Sequence, residues 1–129
     1  MSQLREQVPE GSRETAFNDS GSTIAKSLGV KRLGAGADQC ALLGAVTEQG
    51  WGVTVEDIAT GKRGGVQCTG TVIAKCSAAI TAGARVECGT DGRFVTRNTG
   101  SVWGIAMTTT NNANEYFELK LDPASKAVS

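Results

Sequence analysis

The stretch "TAGARVECGTDGRFV", residues 81–95, indicates the fold class because it joins two short alternating segments through a tight turn. Ala84, Val86 and Cys88 fall on one face of the first segment, and Arg85 and Glu87 fall on the other. The dipeptide "DG" that follows is a strong turn signal between two strands. The stretch therefore predicts a β-hairpin. Since the stretch carries few chemically reactive side chains and the chain has no histidine, we expect the protein to function by binding partners through its surface.

Length and composition favour one small β domain. The chain has 129 residues, which is enough for a single modest core. Glycine accounts for 17 residues, about twice its usual share of ~7%. The two prolines, Pro9 and Pro123, lie near the ends, as expected when strands fill the middle of the chain. The 13 basic and 13 acidic residues cancel, so no nucleic-acid partner is predicted.

From residue 23 onward, turn signals separate short segments that are rich in strand formers. These segments are "CALLGAV", "WGVTV", "VQCTGTVIAK", "ARVEC", "RFVT", "VWGIAM" and "YFELKL". They predict a mainly β protein, folded as a single small antiparallel β-barrel or sandwich of about seven short strands. The segment 22–33, "STIAKSLGVKRL", is a weaker helix candidate because Gly29 disfavours a helix interior.

Large apolar side chains in alternating phase identify the predicted core. In "EYFELKL" the residues Phe117, Leu119 and Leu121 share one face, so the last strand should close the sheet with that face inward. Trp51 and Trp103 are each followed by glycine and a β-branched residue, which suits an indole packed closely over a neighbouring backbone. The sequences "GADQC" to "WGVTV" and "GARVEC" to "WGIAM" also resemble each other, through either a repeated unit or chance.

The four cysteines are predicted to be buried, reduced thiols. Cys68 and Cys76 share an apolar face of "VQCTGTVIAKC", where cysteine behaves as a small hydrophobic residue. The start of the sequence lacks the apolar core of a signal peptide, and no run approaches the ~18 apolar residues of a membrane span. We therefore expect a cytoplasmic protein without disulfides or a membrane partner. No metal site is predicted, since neither the cysteine spacing nor any histidine fits one.

The first 22 residues mix charged residues with serine and glycine and show no sustained period. Such a segment buries too little apolar area to offset its ordering entropy. The predicted organisation is an extended N-terminal arm over 1–22, a β domain over 23–121 and a C-terminal tail over 122–129. The arm is either a solvated tail or a segment that orders on a partner. Its predicted interface residues are Leu4, Val8 and Phe17.

No catalytic or cofactor-binding residue is predicted, and the protein is not expected to be an enzyme. Without histidine, serine and cysteine triads lose their usual base, and the acidic residues stand singly. The sequence "ATGKRGG" suggests a phosphate loop, yet Asp57 stands five residues before Lys62 and Arg63 follows it. A turn explains this segment better. Two similar β halves with a turn lysine would also suit a lipoyl or biotinyl carrier domain, although "GKR" at Lys62 and "AKC" at Lys75 depart from the sequences of those families.

Residues 57–121 resemble the capsid cement, or decoration, proteins of tailed bacteriophages. The resemblance rests on a succession of motifs: a turn and strand with "GTV", the link "AITAG", a short hairpin with "DG", the strand "VWGIA" and a closing strand "ELKL". It implies a structural protein that binds the outside of an assembled phage head and ties major capsid protein subunits together. It also implies a homo-oligomer, with a trimer favoured over a dimer, which is made in the host cytoplasm and located on the outer capsid surface of the virion. The alternatives are the carrier domain, a generic β adaptor and a head-surface protein that binds the host.

Overall fold

The computed structural model describes residues 12–33 and 38–122, and these residues form ten β-strands and no helix. Residues Leu4 and Val8, and all but the first residue of the predicted C-terminal tail, lie outside the described ranges. The strands are β1 (Arg13–Asn18), β2 (Gly29–Arg32), β3 (Gln39–Ala41), β4 (Gly52–Thr54), β5 (Arg63–Gln67), β6 (Gly70–Lys75), β7 (Arg85–Cys88), β8 (Phe94–Thr96), β9 (Gly104–Ala106) and β10 (Tyr116–Leu121).

The strands form two five-stranded sheets, one after the other along the chain. The first five strands close into a barrel in the order β1-β3-β2-β4-β5, with β5 pairing back to β1. The last five form a sheet in the order β6-β10-β9-β7-β8. A parallel bridge between Cys76 and Phe94 connects the two ends of this second sheet. We call β1–β5 the N-terminal unit and β6–β10 the C-terminal unit.

The two units repeat the same pairing scheme. In each unit the second strand pairs with the third and fourth, and the fifth pairs with the first and fourth. The backbone N–H of Trp51 donates to the Val30 carbonyl, and the backbone N–H of Trp103 donates to the Val86 carbonyl at the corresponding place. The resemblance between the two "WG" sequences therefore reflects a unit that is used twice.

Equivalent turns precede the second strand of each unit. The antiparallel bridge between Ile24 and Ile58 in the N-terminal unit corresponds to the bridge between Ile80 and Thr110. Three residues after each isoleucine the backbone enters the left-handed region, at Ser27 with φ 70° and at Gly83 with φ 94°. The same turn therefore begins both halves of the fold.

Each unit has its own apolar core. The core of the N-terminal unit contains Trp51, and that of the C-terminal unit centres on three aromatic side chains that are almost completely buried: Phe94, Trp103 and Phe117. Phe94 meets Trp103 edge to face, with ring centroids 5.3 Å apart, and meets Phe117 in the same way at 6.2 Å. Both tryptophans are thus core anchors, as predicted. The predicted inward phase of β10 is also confirmed, because its three apolar residues are all buried.

The prediction of one barrel or sandwich with seven strands is wrong in number and layout, although the β class is correct. The run "VQCTGTVIAK" was expected to be a single strand, but it divides into β5 and β6 at Gly70, whose φ is 82°. The helix predicted over 22–33 is also wrong, because this segment contains the Ile24 bridge and β2. Pairing with β3 and β4 outweighs local helix propensity there.

The described part of the predicted arm belongs to the barrel. Residues 13–18 form β1, which pairs with β5 along five residues and joins β3 in parallel at its end. Ala16 and Asn18 point inward and are completely buried. Asn18 is buried at low cost because its side-chain amide donates to the Ser22 and Ile58 carbonyls. The expectation that this part of the chain extends away from the body is therefore corrected for residues 13–18.

The four cysteines are free and buried, as predicted. Burial in the apolar core raises the pKa of the Cys88 thiol well above its ordinary value. Cys68 and Cys76 belong to different units, because the strand expected to contain both is divided at Gly70.

Glu87 was expected to face outward in the hairpin, but it is buried, and its carboxylate accepts hydrogen bonds from the Asn98 and Gly100 N–H groups at 2.7 Å each.

Candidate docking surface

A groove of about 780 Å³ lies between the two units. Arg13, Lys26 and Gln67 line it from the N-terminal unit, and Ile73 and Tyr116 line it from the C-terminal unit. Within the described ranges, no group of three or more histidine, cysteine, aspartate or glutamate side chains could hold a metal ion. The described residues also include no helix with the length and hydrophobicity needed to cross a membrane. The groove is therefore the candidate docking surface.

The edge of β6 forms one wall of the groove. Ile73 lies opposite Glu118 in the antiparallel ladder between β6 and β10. The two residues form a non-hydrogen-bonded pair, so the backbone N–H and C=O of Ile73 point away from β10. The backbone N–H of Lys75, two residues later, also points away from β10 and donates to the Ser27 carbonyl across the groove at 3.0 Å. The Gln67 amide donates to the Thr71 carbonyl at 2.8 Å. Ile73 therefore presents backbone polar groups to the groove between two points where the units are hydrogen-bonded together.

The rim of the groove combines apolar and charged groups. Ile73 and Tyr116 are 48% and 51% exposed, respectively, although both are large apolar or aromatic residues. The Lys75 ammonium lies 5.9 Å from the centre of the Tyr116 ring. Arg13 donates to the Gln67 side-chain oxygen at 3.3 Å, and Lys26 adds a second positive charge. Glu118 also lines the groove, so its rim combines two cations and one carboxylate with exposed apolar groups, a mixture typical of protein–protein contacts.

A second exposed apolar area lies on β9 and directly after it. Ile105 and Met107 are 41% and 49% exposed. Arg85 on β7 and Lys120 on β10 lie opposite Ile105 on either side of it, and both are exposed. We call these four residues the β9 face. The face is distinct from the groove, since none of the four lines the groove.

One of the three predicted interface residues lies in the described part of the chain. Phe17 is in β1 and half-buried, with the Arg63 guanidinium 5.4 Å from its ring centre. Arg63 also forms an ion pair with Asp38, and this hydrogen-bonded contact lowers the pKa of the Asp38 carboxyl. Phe17 is therefore held against the barrel wall. The structure does not bring it to the groove, whose described N-terminal boundary is Arg13.

The two lysines considered for a carrier domain lie in different settings. Lys62 is exposed in the turn that precedes β5, as the turn interpretation of "ATGKRGG" predicted. Lys75 is the last residue of β6 and packs over Tyr116. Sequence reasoning did not propose Ile73 or Tyr116 as interface residues. A signal was present for each, since Ile73 alternates out of phase with Val72 and Ala74, and Tyr116 shares the polar face of β10.

The comparison with solved structures identifies a similar fold, whereas the comparison with curated proteins finds no relative. No curated protein matches the sequence significantly. Among solved structures, the fold is similar to the crystal structure of the head fiber gp8.5 N base in bacteriophage phi29, with a TM-score of 0.68 and 18% sequence identity. The match covers 87% of this chain and 94% of that chain, and at this identity it shows a shared fold.

A family model confirms the resemblance found in residues 57–121 and extends it toward the N-terminus. The phage cement protein model matches residues 22–121, a range that starts after β1 and includes all nine other strands. The matched range covers most of the chain, so this protein is a phage structural protein. It belongs to the phage cement protein family.

Proposed function

We propose that this protein binds the outer surface of an assembled phage head and ties neighbouring major capsid protein subunits together. The observation that carries the proposal is the groove between the units, where the β6 edge, two exposed apolar side chains and two cations converge. Because both walls are sheets with buried cores, the groove is held rigidly. A rigid site loses little conformational entropy on binding, which favours a stable attachment.

The chemistry of the groove suits an extended segment of the coat protein. The backbone groups of Ile73 face the groove, so a segment lying along β6 gains main-chain hydrogen bonds at that point. Tyr116 and Ile73 offer apolar contacts, and Arg13 and Lys26 favour carboxylates. A single segment lying along one strand edge covers less than the roughly 1,000 Å² that a stable interface buries. Attachment therefore requires additional contacts.

The remaining residues of the predicted arm can supply part of that area. Residues 1–11 join the described chain at Ser12, which bonds to Thr69 and directly precedes Arg13 on the groove. A segment of 11 extended residues spans up to about 36 Å, which is long enough for Leu4 and Val8 to contact a partner bound in the groove. Several copies in one oligomer, with a trimer favoured, would multiply the contacts with the shell.

Co-sedimentation with expanded heads that lack this protein tests the proposal. We expect the full chain to pellet with the heads and to raise their resistance to heat. Ile73→Asp and Tyr116→Ala should each weaken binding at least tenfold, whereas the matched control Lys62→Ala should bind normally. Circular dichroism must show that each variant is folded. If the folded groove variants bind heads as well as the native chain, the groove is not the attachment site; if the native chain does not bind, the function itself is wrong.

The carrier-domain alternative makes the opposite prediction for Lys62. An exposed turn lysine is the one described feature that it explains. Mass spectrometry of the protein purified from infected cells would show an acyl or biotinyl group on Lys62 in that case. An unmodified Lys62, together with normal head binding by Lys62→Ala, excludes this alternative.

A further inference from the structure

The internal repeat places a buried row of residues in one unit and an exposed row in the other at equivalent positions. Each row crosses the second, fourth and fifth strands of its unit, and the strand registers align the two rows residue for residue. The row in the N-terminal unit is Gly29, Val53 and Gln67, and the row in the C-terminal unit is Arg85, Ile105 and Lys120.

The C-terminal unit covers the row of the N-terminal unit. Val53 is 0% exposed and belongs to the core cluster of the C-terminal unit, and Gln67 is 4% exposed. A Cβ atom at Gly29 would come within 2.6 Å of the Cys88 sulfur and within 3.1 Å of the Trp103 ring. This face of the repeated fold is therefore one that another unit of the same fold can cover by close packing.

The equivalent row of the C-terminal unit is exposed in the described structure. Ile105 corresponds to Val53 but is 41% exposed, and Arg85 and Lys120 are exposed on either side of it. Met107 corresponds to Val55, which packs against the core of the C-terminal unit, yet Met107 is 49% exposed. Exposed isoleucine and methionine side chains two residues apart form an apolar area that is typical of an interface.

We infer that the β9 face binds a second copy of this chain, and that it meets the N-terminal unit of that copy in a head-to-tail contact. The contact between the two units of one chain serves as the template for this contact between copies. In that contact, the end of the C-terminal unit that carries Cys88 and Trp103 packs against the buried row of the N-terminal unit. In the N-terminal unit the equivalents of these two residues are Arg32 and Trp51. The β9 face of one copy would therefore lie on the barrel end of the next.

The chemistry of that barrel end is compatible with the β9 face. The Arg32 guanidinium lies over the Trp51 ring at 4.1 Å, and Arg32 is the exposed member of this pair because Trp51 is buried in the core. Ile105 would therefore pack on the Arg32 side chain. Glu14 bonds to Arg32 at 3.4 Å while its side chain remains half exposed, so it can also accept a hydrogen bond from Arg85 of the neighbouring copy. The contact uses two different surfaces, and such heterologous contacts build rings or filaments.

Light scattering of the full chain in solution tests this inference without heads, so its outcome is independent of head attachment. We expect the native chain to form an oligomer, and Ile105→Asp to raise the dissociation constant at least tenfold. The matched control is Ile73→Asp, since Ile73 is an isoleucine of similar exposure in the same sheet but is separated from β9 by β10; this variant should leave the oligomer mass unchanged. A monomeric native chain would overturn the inference, as would an Ile105→Asp variant that associates like the native chain.

Cross-linking identifies the pair of surfaces and serves if Ile105→Asp does not fold. Since the native cysteines are buried, an oxidised dimer should form when a chain with Ile105→Cys is mixed with a chain with Glu14→Cys. Neither variant alone should cross-link efficiently. Efficient dimerisation of Ile105→Cys with itself would show that two β9 faces meet each other, and the absence of any dimer would show that the face does not bind another copy. Either result contradicts the head-to-tail contact.

Discussion

Replacing Phe117 by alanine tests the packing that holds the C-terminal unit together. Phe117 lies on the inward face of β10 and is 2% exposed. Its ring meets Phe94 edge to face at 6.2 Å, and Phe94 in turn meets Trp103, so the three aromatic rings form one cluster. Phe117→Ala removes a ring from this cluster without changing the backbone groups that pair β10 with β6 and β9.

The expected cost follows from the burial of the ring. A buried phenylalanine replaced by alanine destabilises a protein by about 3–5 kcal/mol, through the lost transfer energy and the cavity left behind. The edge-to-face contact with Phe94 contributes on the order of 0.5–1.5 kcal/mol of this. Since small domains unfold at about 5–15 kcal/mol, the loss is a large part of the total stability. In a chain of this size it corresponds to a fall in melting temperature of about 10–20 °C.

Thermal and urea denaturation, followed by circular dichroism, measure the effect. The control is Tyr116→Ala, which removes the neighbouring exposed ring of the same strand and its contact with Lys75. The control should cost less than about 1 kcal/mol, the size of an exposed cation–π contact. If the two variants melt at the same temperature, the inward phase of β10 or the aromatic cluster is wrong. Heads decorated with Phe117→Ala should also lose their heat protection, because the attached protein unfolds first.

The remaining predictions concern the arm, the thiols and acid stability. Deletion of residues 1–11 should leave the barrel folded but weaken head binding. Deletion of residues 1–22 should also lower the melting temperature, because it removes β1. Equal stability of the two truncated proteins, or full head binding by the protein that lacks residues 1–11, would count against this. The thiols should react slowly with a thiol reagent until the protein unfolds, since Cys88 is buried and its pKa is raised; rapid modification of all four in the native state would contradict this. The Gly44 N–H and Lys31 hold the pKa of Glu48 below its ordinary value of 4.5, so the stabilisation from this carboxylate is complete above 4.5 and is lost as the pH falls through the lower native value. Melting curves recorded at decreasing pH should show this loss, and the loss should be smaller in Glu48→Gln.

The family and the β class were readable from the sequence because both depend on local signals. The alternation in "EYFELKL" fixes which side chains of β10 are buried, and the "DG" turn fixes the hairpin of β7 and β8. Alternation also predicted the burial of Cys68, Cys76 and Cys88, and the "WG" sequences predicted the burial of the two tryptophans. Each of these features needs only a few neighbouring residues, so short stretches of sequence contain the information.

The strand count and the surfaces depend on contacts between distant parts of the chain. Residues 13–18 have no apolar period of their own, and β1 forms because β5, about 50 residues later, supplies its hydrogen-bonding partner. Glu87 looks like an outward-facing residue in the alternation, yet two N–H groups from the loop that follows β8 satisfy its carboxylate and allow burial. Local patterns cannot encode such partners, which exist only after the sheets have assembled.

The repeated unit shows the same division most clearly. The sequence by itself determined that "WGVTV" and "WGIAM" are similar strands in which a glycine follows a core tryptophan. Only the tertiary structure decided that Val53 in the first is buried while Ile105 in the second is exposed. The physical reason is that burial at these positions depends on whether another unit packs against the sheet, and within the described chain the C-terminal unit covers this face of the N-terminal unit while its own equivalent face is exposed.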